Sequence, residues 1–252
     1  GPGSALSGRR RPLSFRAPRQ SQRTAGARAG HGGGQTRHSW KSTALELSER
    51  DCYTISMDLR GHGDSGWAKD EDYSLEAYAK DYQAVCATLD RRPVLVGASL
   101  GGLSAMIAGG ELNPRLFSAV IFVDIAPTMA DEGVDKIRAF MGADLETGFA
   151  NLEEAADAIA KYLPNRPRPK NLKGLSKNLR LHDDGRYRWH WDPKFMSGGS
   201  RSVDARNPER LKNATRAIEA PLMLVRGKQS ELVTEQSVAE FLALVPSAKF
   251  VD

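Results

Sequence analysis

Short apolar runs alternate with amphipathic stretches along most of the 252 residues. Val94-Leu95-Val96 is partly β-branched, follows Pro93 and reads as a fully buried strand. Residues 117–124 and 221–226 have the same character, residues 53–58 alternate as a strand does, and residues 249–252 form a last short run. Helical spacing fills the intervals. Leu75, Tyr78, Tyr82, Val85 and Leu89 step by three and four along residues 75–89, behind an N-cap near Ser74. Further helices are predicted over residues 41–50, 103–108, 209–218 and 234–244. Strands alternating with helices argue an α/β fold with a mostly parallel sheet, covered by helices on both faces.

Residues 128–206 break that alternation. Helical patterns at 133–141, 152–163 and 172–181 surround a stiff Arg166-Pro167-Arg168-Pro169 connector, and residues 181–191 read as a hairpin with an Asp-Gly turn. This is the composition of a mainly helical cap inserted over the carboxyl edge of the sheet, where such sheets bind ligands. Trp189, Trp191, Phe140 and Met141, with Phe195, are candidates to line an apolar substrate pocket, although packing within the cap explains each equally well.

The chemistry concentrates at Gly97-Ala98-Ser99-Leu100-Gly101, a G-x-S-x-G between a predicted strand and a predicted helix. A strand turning sharply into a helix at a serine is a nucleophile elbow, with the hydroxyl raised above the sheet and the next N–H (Leu100) placed to stabilise an oxyanion. Gly61, Gly63 and Gly66 spell G-x-G-x-x-G, but a charged, loop-like stretch intervenes before the next helix, which argues against a dinucleotide site.

The elbow, the His31-Gly32-Gly33-Gly34 loop and the D-x-R-G-x-G-x-S turn at residues 58–65 together resemble the α/β-hydrolase superfamily, from about His31 to the C-terminus. The closest likeness is to its capped, serine-nucleophile branch of esterases and cofactor-free haloperoxidases. The resemblance implies Ser99 as nucleophile and an oxyanion hole built by Leu100 with Gly33 or Gly34. It implies Glu231 as triad acid, in Gly227-Lys228-Gln229-Ser230-Glu231, with Glu235 as fallback. His31 and His38 read as structural hydrogen-bonders. The base histidine is expected beyond the strand at 249–252, and none of the five histidines lies there. The chain is therefore expected to lack a C-terminal histidine segment and to be nearly inactive as it stands. The implied reaction is hydrolysis of a small ester, lactone or C–C bond through an acyl-enzyme. The alternative is a non-catalytic member that binds a small ligand under the cap.

Charge changes the picture at one end only. The net charge is +5, but residues 1–30 hold seven arginines and no acid, and the remainder sums to −2. The basic character says nothing about the substrate, and nucleic-acid binding is not expected. Residues 1–4 read as the remnant of a cleaved tag, and residues 5–30 as a disordered Arg-rich tail or transit peptide. Residues 23–30 make a poor buried strand, so either the strand that runs into the His-Gly turn in such hydrolases is absent or the sequence of this region is not the family's. The domain plan is a tail (1–30), hydrolase core (31–127 and 207–252, the second part truncated) and cap (128–206). Cys52 and Cys86 read as ordinary thiols. No metal, cofactor or membrane contact is expected. A small-molecule substrate and a cytoplasmic location are.

Overall fold

The computed structural model describes residues 25–165, 167–168, 172–197 and 207–252. The tag remnant, most of the expected tail, and Arg166 and Pro169 of the connector lie outside them. In chain order the elements are β1 (Ala25–Gly30), α1 (Lys41–Glu49), β2 (Cys52–Met57), α2 (Leu75–Cys86), β3 (Val94–Ala98), α3 (Leu100–Ile107) and β4 (Ala119–Val123). An insert follows, with α4 (Asp131–Gly142), α5 (Leu152–Tyr162), β5 (Leu179–Leu181), β6 (Tyr187–Trp189) and α6 (Lys194–Ser197). The chain then returns through α7 (Pro208–Ala217), β7 (Leu222–Val225), α8 (Glu235–Leu244) and β8 (Lys249–Val251).

Six strands form one parallel sheet in the order β2-β1-β3-β4-β7-β8. This corrects the reading of residues 23–30. Ala25–Gly30 is not a tail but an interior strand, paired with β2 on one side and β3 on the other. Its alanines and glycines carry little β signal, and tertiary context overrides propensity. Small side chains suit the place: a Cβ at Gly30 would overlap the Tyr82 hydroxyl.

Burial alternates along the central strands as the pleat requires. Leu95, Val120, Phe122, Leu222 and Leu224 are buried, and Phe122 meets Phe241 of α8 edge-on. The alternate positions Val94, Val96, Ile121, Val123, Met223 and Val225 are only half-buried. On that face α1 packs over β1 and β2, around a cavity lined by Ala27, Ala29, Trp40, Ala44, Thr54 and Val96. Coverage of the two faces is thus uneven among the described residues.

The insert carries a small core of its own, Phe149, Ala155 and Leu179. The helix expected over 172–181 is a 3₁₀ turn, Leu172–Lys177, followed by β5. The reason is pairing: Leu179 sits opposite Trp189 in an antiparallel hairpin and is buried there. The second segment rejoins the core through the 58–65 turn, where the Gly63 N–H donates to the His190 carbonyl (2.8 Å) and the Asp192 N–H to the Gly61 carbonyl (2.8 Å). That turn is followed by a loop rather than a helix, and α2 starts only at Leu75, capped by Ser74. No described helix is long and apolar enough to cross a membrane.

Candidate active site

The chain leaves β1 toward β2 and leaves β3 toward β4, in opposite directions across the sheet. A crevice opens where connections diverge, above the carboxyl ends of the two strands. β1 runs into the His31 loop and β3 into Ser99, so the two sequence motifs flank this crevice.

Ser99 adopts φ 44° and ψ −116°, a left-handed conformation that a non-glycine residue holds only under constraint. The constraint is backbone packed on backbone. A Cβ at Gly97 would lie 2.7 Å from the Gly102 nitrogen, and one at Gly101 would lie 2.6 Å from the Gly30 oxygen. The turn closes only because both positions lack side chains. α3 begins at the next residue, with its N-terminus and partial positive charge at the serine. Neither the Ser99 hydroxyl nor the Leu100 N–H has a hydrogen-bond partner among the described residues.

The glycine loop lies directly against the serine: a Cβ at Gly32 would be 3.4 Å from the Ser99 Cβ. Residues 32–35 form a turn in which the Gln35 N–H donates to the Gly32 carbonyl (3.2 Å) and Gly34 has φ 76°. The Gly34 N–H donates to Nε2 of His62 at 3.1 Å and is therefore spent. The Gly33 N–H has no acceptor among the described residues. Of the two glycines expected from the motif, the free donor is Gly33.

Two histidines close to this loop are committed to structure. His31 is fully buried; Nδ1 faces the Gly32 carbonyl (2.8 Å) and Nε2 accepts the Leu59 N–H (3.0 Å). Burial lowers its pKa to about 4, against the opposing pull of the Gly32 carbonyl and Asp58. His62, also buried, holds the Arg60 carbonyl through Nδ1 (2.9 Å). His190 has a buried Nε2 4.0 Å from Asp64, and burial pushes its pKa down. His38 and His182 are exposed. None of the five is hydrogen-bonded to Ser99.

Asp58, at the carboxyl end of β2, ties the two loops together. Its side chain is 1% exposed, pairs with the Arg37 guanidinium, and accepts the backbone N–H groups of Arg37 (2.6 Å) and Asp64 (3.1 Å).

The acids fall differently from expectation. Glu231 does follow β7, but its side chain is 62% exposed and its carboxylate pairs with Lys136 of α4. Glu235 is exposed at the start of α8. Sequence reasoning passed over Asp124. Ala98 pairs with Val123, so one residue further on Ser99 and Asp124 stand side by side at the ends of adjacent strands. Asp124 also has a left-handed backbone (φ 52°), and Oδ1 accepts the Gly227 N–H at 3.3 Å. The signal was present in the sequence as an aspartate ending the strand next to the elbow strand.

The five aromatic and methionine candidates divide. Around the glycine loop, Met141 Cε would lie 3.1 Å from a Cβ at Gly34, Trp191 Nε1 3.6 Å from it, and Phe195 Cζ 3.1 Å from one at Gly33. Phe140 and Trp189 turn inward to the insert: Phe140 stacks on Tyr162 (4.1 Å), and Trp189 packs on Phe140 (5.8 Å) and Phe149 (5.4 Å).

A switch-point crevice on a parallel sheet, with a serine on a strained strand-to-helix turn beside unsatisfied N–H groups, is the architecture of an α/β hydrolase. The chain belongs to the alpha/beta hydrolase family, whose model matches residues 30–251. It is 29% identical over 215 residues to esterase Rv0045c of Mycobacterium tuberculosis, covering 83% of this chain and 68% of that protein. To the 3-hydroxybutyrate-oligomer hydrolase of Cupriavidus necator it is 28% identical over 224 residues, covering 84% and 75%. The crystal structure of E-2-(acetamidomethylene)succinate hydrolase superposes with a TM-score of 0.76 at 27% identity, covering 90% of this chain and 81% of that one. These relatives define a hydrolase.

Proposed function

We propose that the protein is a serine hydrolase that cleaves small carboxylic esters through an acyl-enzyme. The observation that carries this reading is Ser99, held left-handed on the turn from β3 into α3 with the glycine loop against it, while the N–H groups of Gly33 and Leu100 have no acceptor among the described residues. The Ser99 hydroxyl attacks the ester carbonyl, and its proton passes to a histidine. The oxyanion gathers charge between the two N–H donors, which are worth most where water is excluded. Collapse expels the alcohol, protonated by the same imidazole, and water then releases the acid by the reverse sequence. The insert acts as the cap, and Met141, Trp191 and Phe195 confine the substrate above the glycine loop.

Two acids compete to orient the imidazole. Asp124 is favoured, because it follows the strand adjacent to that of Ser99 by one residue, in register with it, while the carboxylate of Glu231 is drawn to Lys136. His31 and His62 already use both ring nitrogens, so neither is proposed as the base. Esters are preferred over lactones and C–C bonds because the relatives include an esterase and an oligomer hydrolase. No partner other than a small-molecule substrate and no resident cofactor is needed, and a cytoplasmic setting fits the chemistry.

The test is hydrolysis of p-nitrophenyl acetate by the protein. Ser99→Ala should abolish nearly all of the rate. Asp124→Asn should lower kcat by at least about 100-fold and Glu231→Gln by far less, in line with the loss of an orienting triad acid. Undiminished turnover by the alanine variant would remove the serine from the mechanism. If no ester is cleaved at all, the competing reading of a non-catalytic ligand-binding protein, favoured by the lack of a histidine on Ser99, takes its place.

A further inference from the structure

The glycine loop has no side chains with which to hold itself, yet its catalytic use demands that one N–H point at one place. Isolated Gly-Gly-Gly samples φ of either sign and would spend little time there. Two side chains outside the recognised motif restrain it. Gln35 closes the turn at both ends: its N–H donates to the Gly32 carbonyl (3.2 Å), and its Oε1 accepts the Gly32 N–H (3.3 Å). His62 takes the middle, accepting the Gly34 N–H at Nε2 (3.1 Å).

His62 is itself fixed from three sides. Nδ1 holds the Arg60 carbonyl, and the Arg60 guanidinium is clamped on both oxygens of Asp81 in α2 (2.6 and 2.7 Å). The ring packs edge-on against Phe195 (4.8 Å) and stacks near Trp191 (6.4 Å), both from the insert. Since Nδ1 must donate to the carbonyl, Nε2 carries the lone pair that receives Gly34. A single neutral tautomer satisfies both.

We infer that His62 and Gln35 are positioning residues: they hold the peptides on either side of Gly33 so that its N–H alone is left to face the oxyanion beside Ser99. The inference rests on the ester-hydrolase reading above. It explains why one of three adjacent glycine N–H groups is free while Gly32 and Gly34 are each engaged. Neither residue touches the reacting atoms. Each acts through the backbone, so its loss should appear in kcat rather than in substrate affinity.

The experiment uses the enzyme with p-nitrophenyl acetate, alongside Ser99→Ala. Gln35 is exposed, so Gln35→Met removes the acceptor without opening the core. His62→Gln keeps an acceptor and a donor on one side chain, and His62→Phe keeps only the ring. A one-ångström displacement of an oxyanion donor costs roughly 100-fold. We expect kcat to fall about 10- to 100-fold in Gln35→Met and His62→Phe, with KM within about twofold, and partial recovery in His62→Gln. Binding of a trifluoromethyl ketone, which needs the oxyanion site, should weaken in parallel with kcat, whereas binding of the leaving-group product p-nitrophenol should not. Melting temperatures separate this from simple unfolding. Equal kcat in Gln35→Met and wild type, or losses that follow melting temperature and spare ketone binding, would overturn the positioning role. An inactive Ser99→Ala beside an unaffected Gln35→Met discards this inference alone. An active Ser99→Ala discards it together with the reading on which it rests.

Discussion

Acidification should loosen the protein through His31. This imidazole sits beneath the glycine loop, fully buried, bridging the Gly32 carbonyl and the Leu59 N–H. Desolvation holds its pKa at about 4, from an ordinary 6.5. Between those two values the unfolded chain binds a proton that the folded chain refuses, so stability is complete above about pH 6.5 and declines as pH falls toward 4. The gap corresponds to on the order of 3 kcal/mol, a large part of a typical domain's margin. Urea unfolding followed by tryptophan fluorescence at several pH values between 4.5 and 7.5 measures it by linear extrapolation. His31→Gln is the control, because an amide can still accept the Leu59 N–H but does not titrate. The variant should be less stable at neutral pH and lose less on acidification, the difference in slope approaching about 1 kcal/mol per pH unit. Identical slopes in the two proteins, or wild-type stability that rises on acidification, would refute the reasoning.

Other perturbations follow from the same contacts. Gly101→Ala places a Cβ 2.6 Å from the Gly30 oxygen, and should destabilise by about 1–3 kcal/mol and lower esterase activity, read by thermal melting and initial rates. Arg37→Met leaves the buried Asp58 carboxylate without its cation; a loss of about 3 kcal/mol is expected, tempered by Arg37's partial exposure, and denaturant titration measures it. Met141→Ala should open the space over Gly34 and alter the relative rates for acetyl and octanoyl esters, with a smaller effect on the acetyl ester's kcat. An unchanged chain-length profile would take Met141 away from the substrate.

Where side chains announced their role, the sequence was legible. The β-branched runs of β3, β4 and β7 mark the buried strands, and the glycine spacing around Ser99 marks the elbow. β1 was not legible, because a strand of alanines and glycines paired on both sides is specified by its neighbours rather than by its own composition. The 3₁₀ turn and β5 were hidden for a similar reason, since Leu179 is claimed by a hairpin partner ten residues away. The choice between Gly33 and Gly34 could not be made locally: it turns on His62, 28 residues along the chain. Asp124 could be seen but not weighed until strand register set it beside Ser99.

The backbone contacts among Gly30, Gly97, Gly101 and Gly102 divide the crevice into two materials. On the sheet side the spacing between serine and oxyanion loop is set by main chain against main chain, and substitution there has nowhere to go. On the insert side the walls are the side chains of Met141, Trp191 and Phe195, of which Trp191 and Phe195 also brace the His62 ring and only Met141 stands clear of it. On the reading proposed above, such a molecule can change its substrate range at Met141 while its reaction geometry stays as it was. A library that seeks new substrates should therefore randomise Met141 first and leave the glycines, Trp191 and Phe195 untouched.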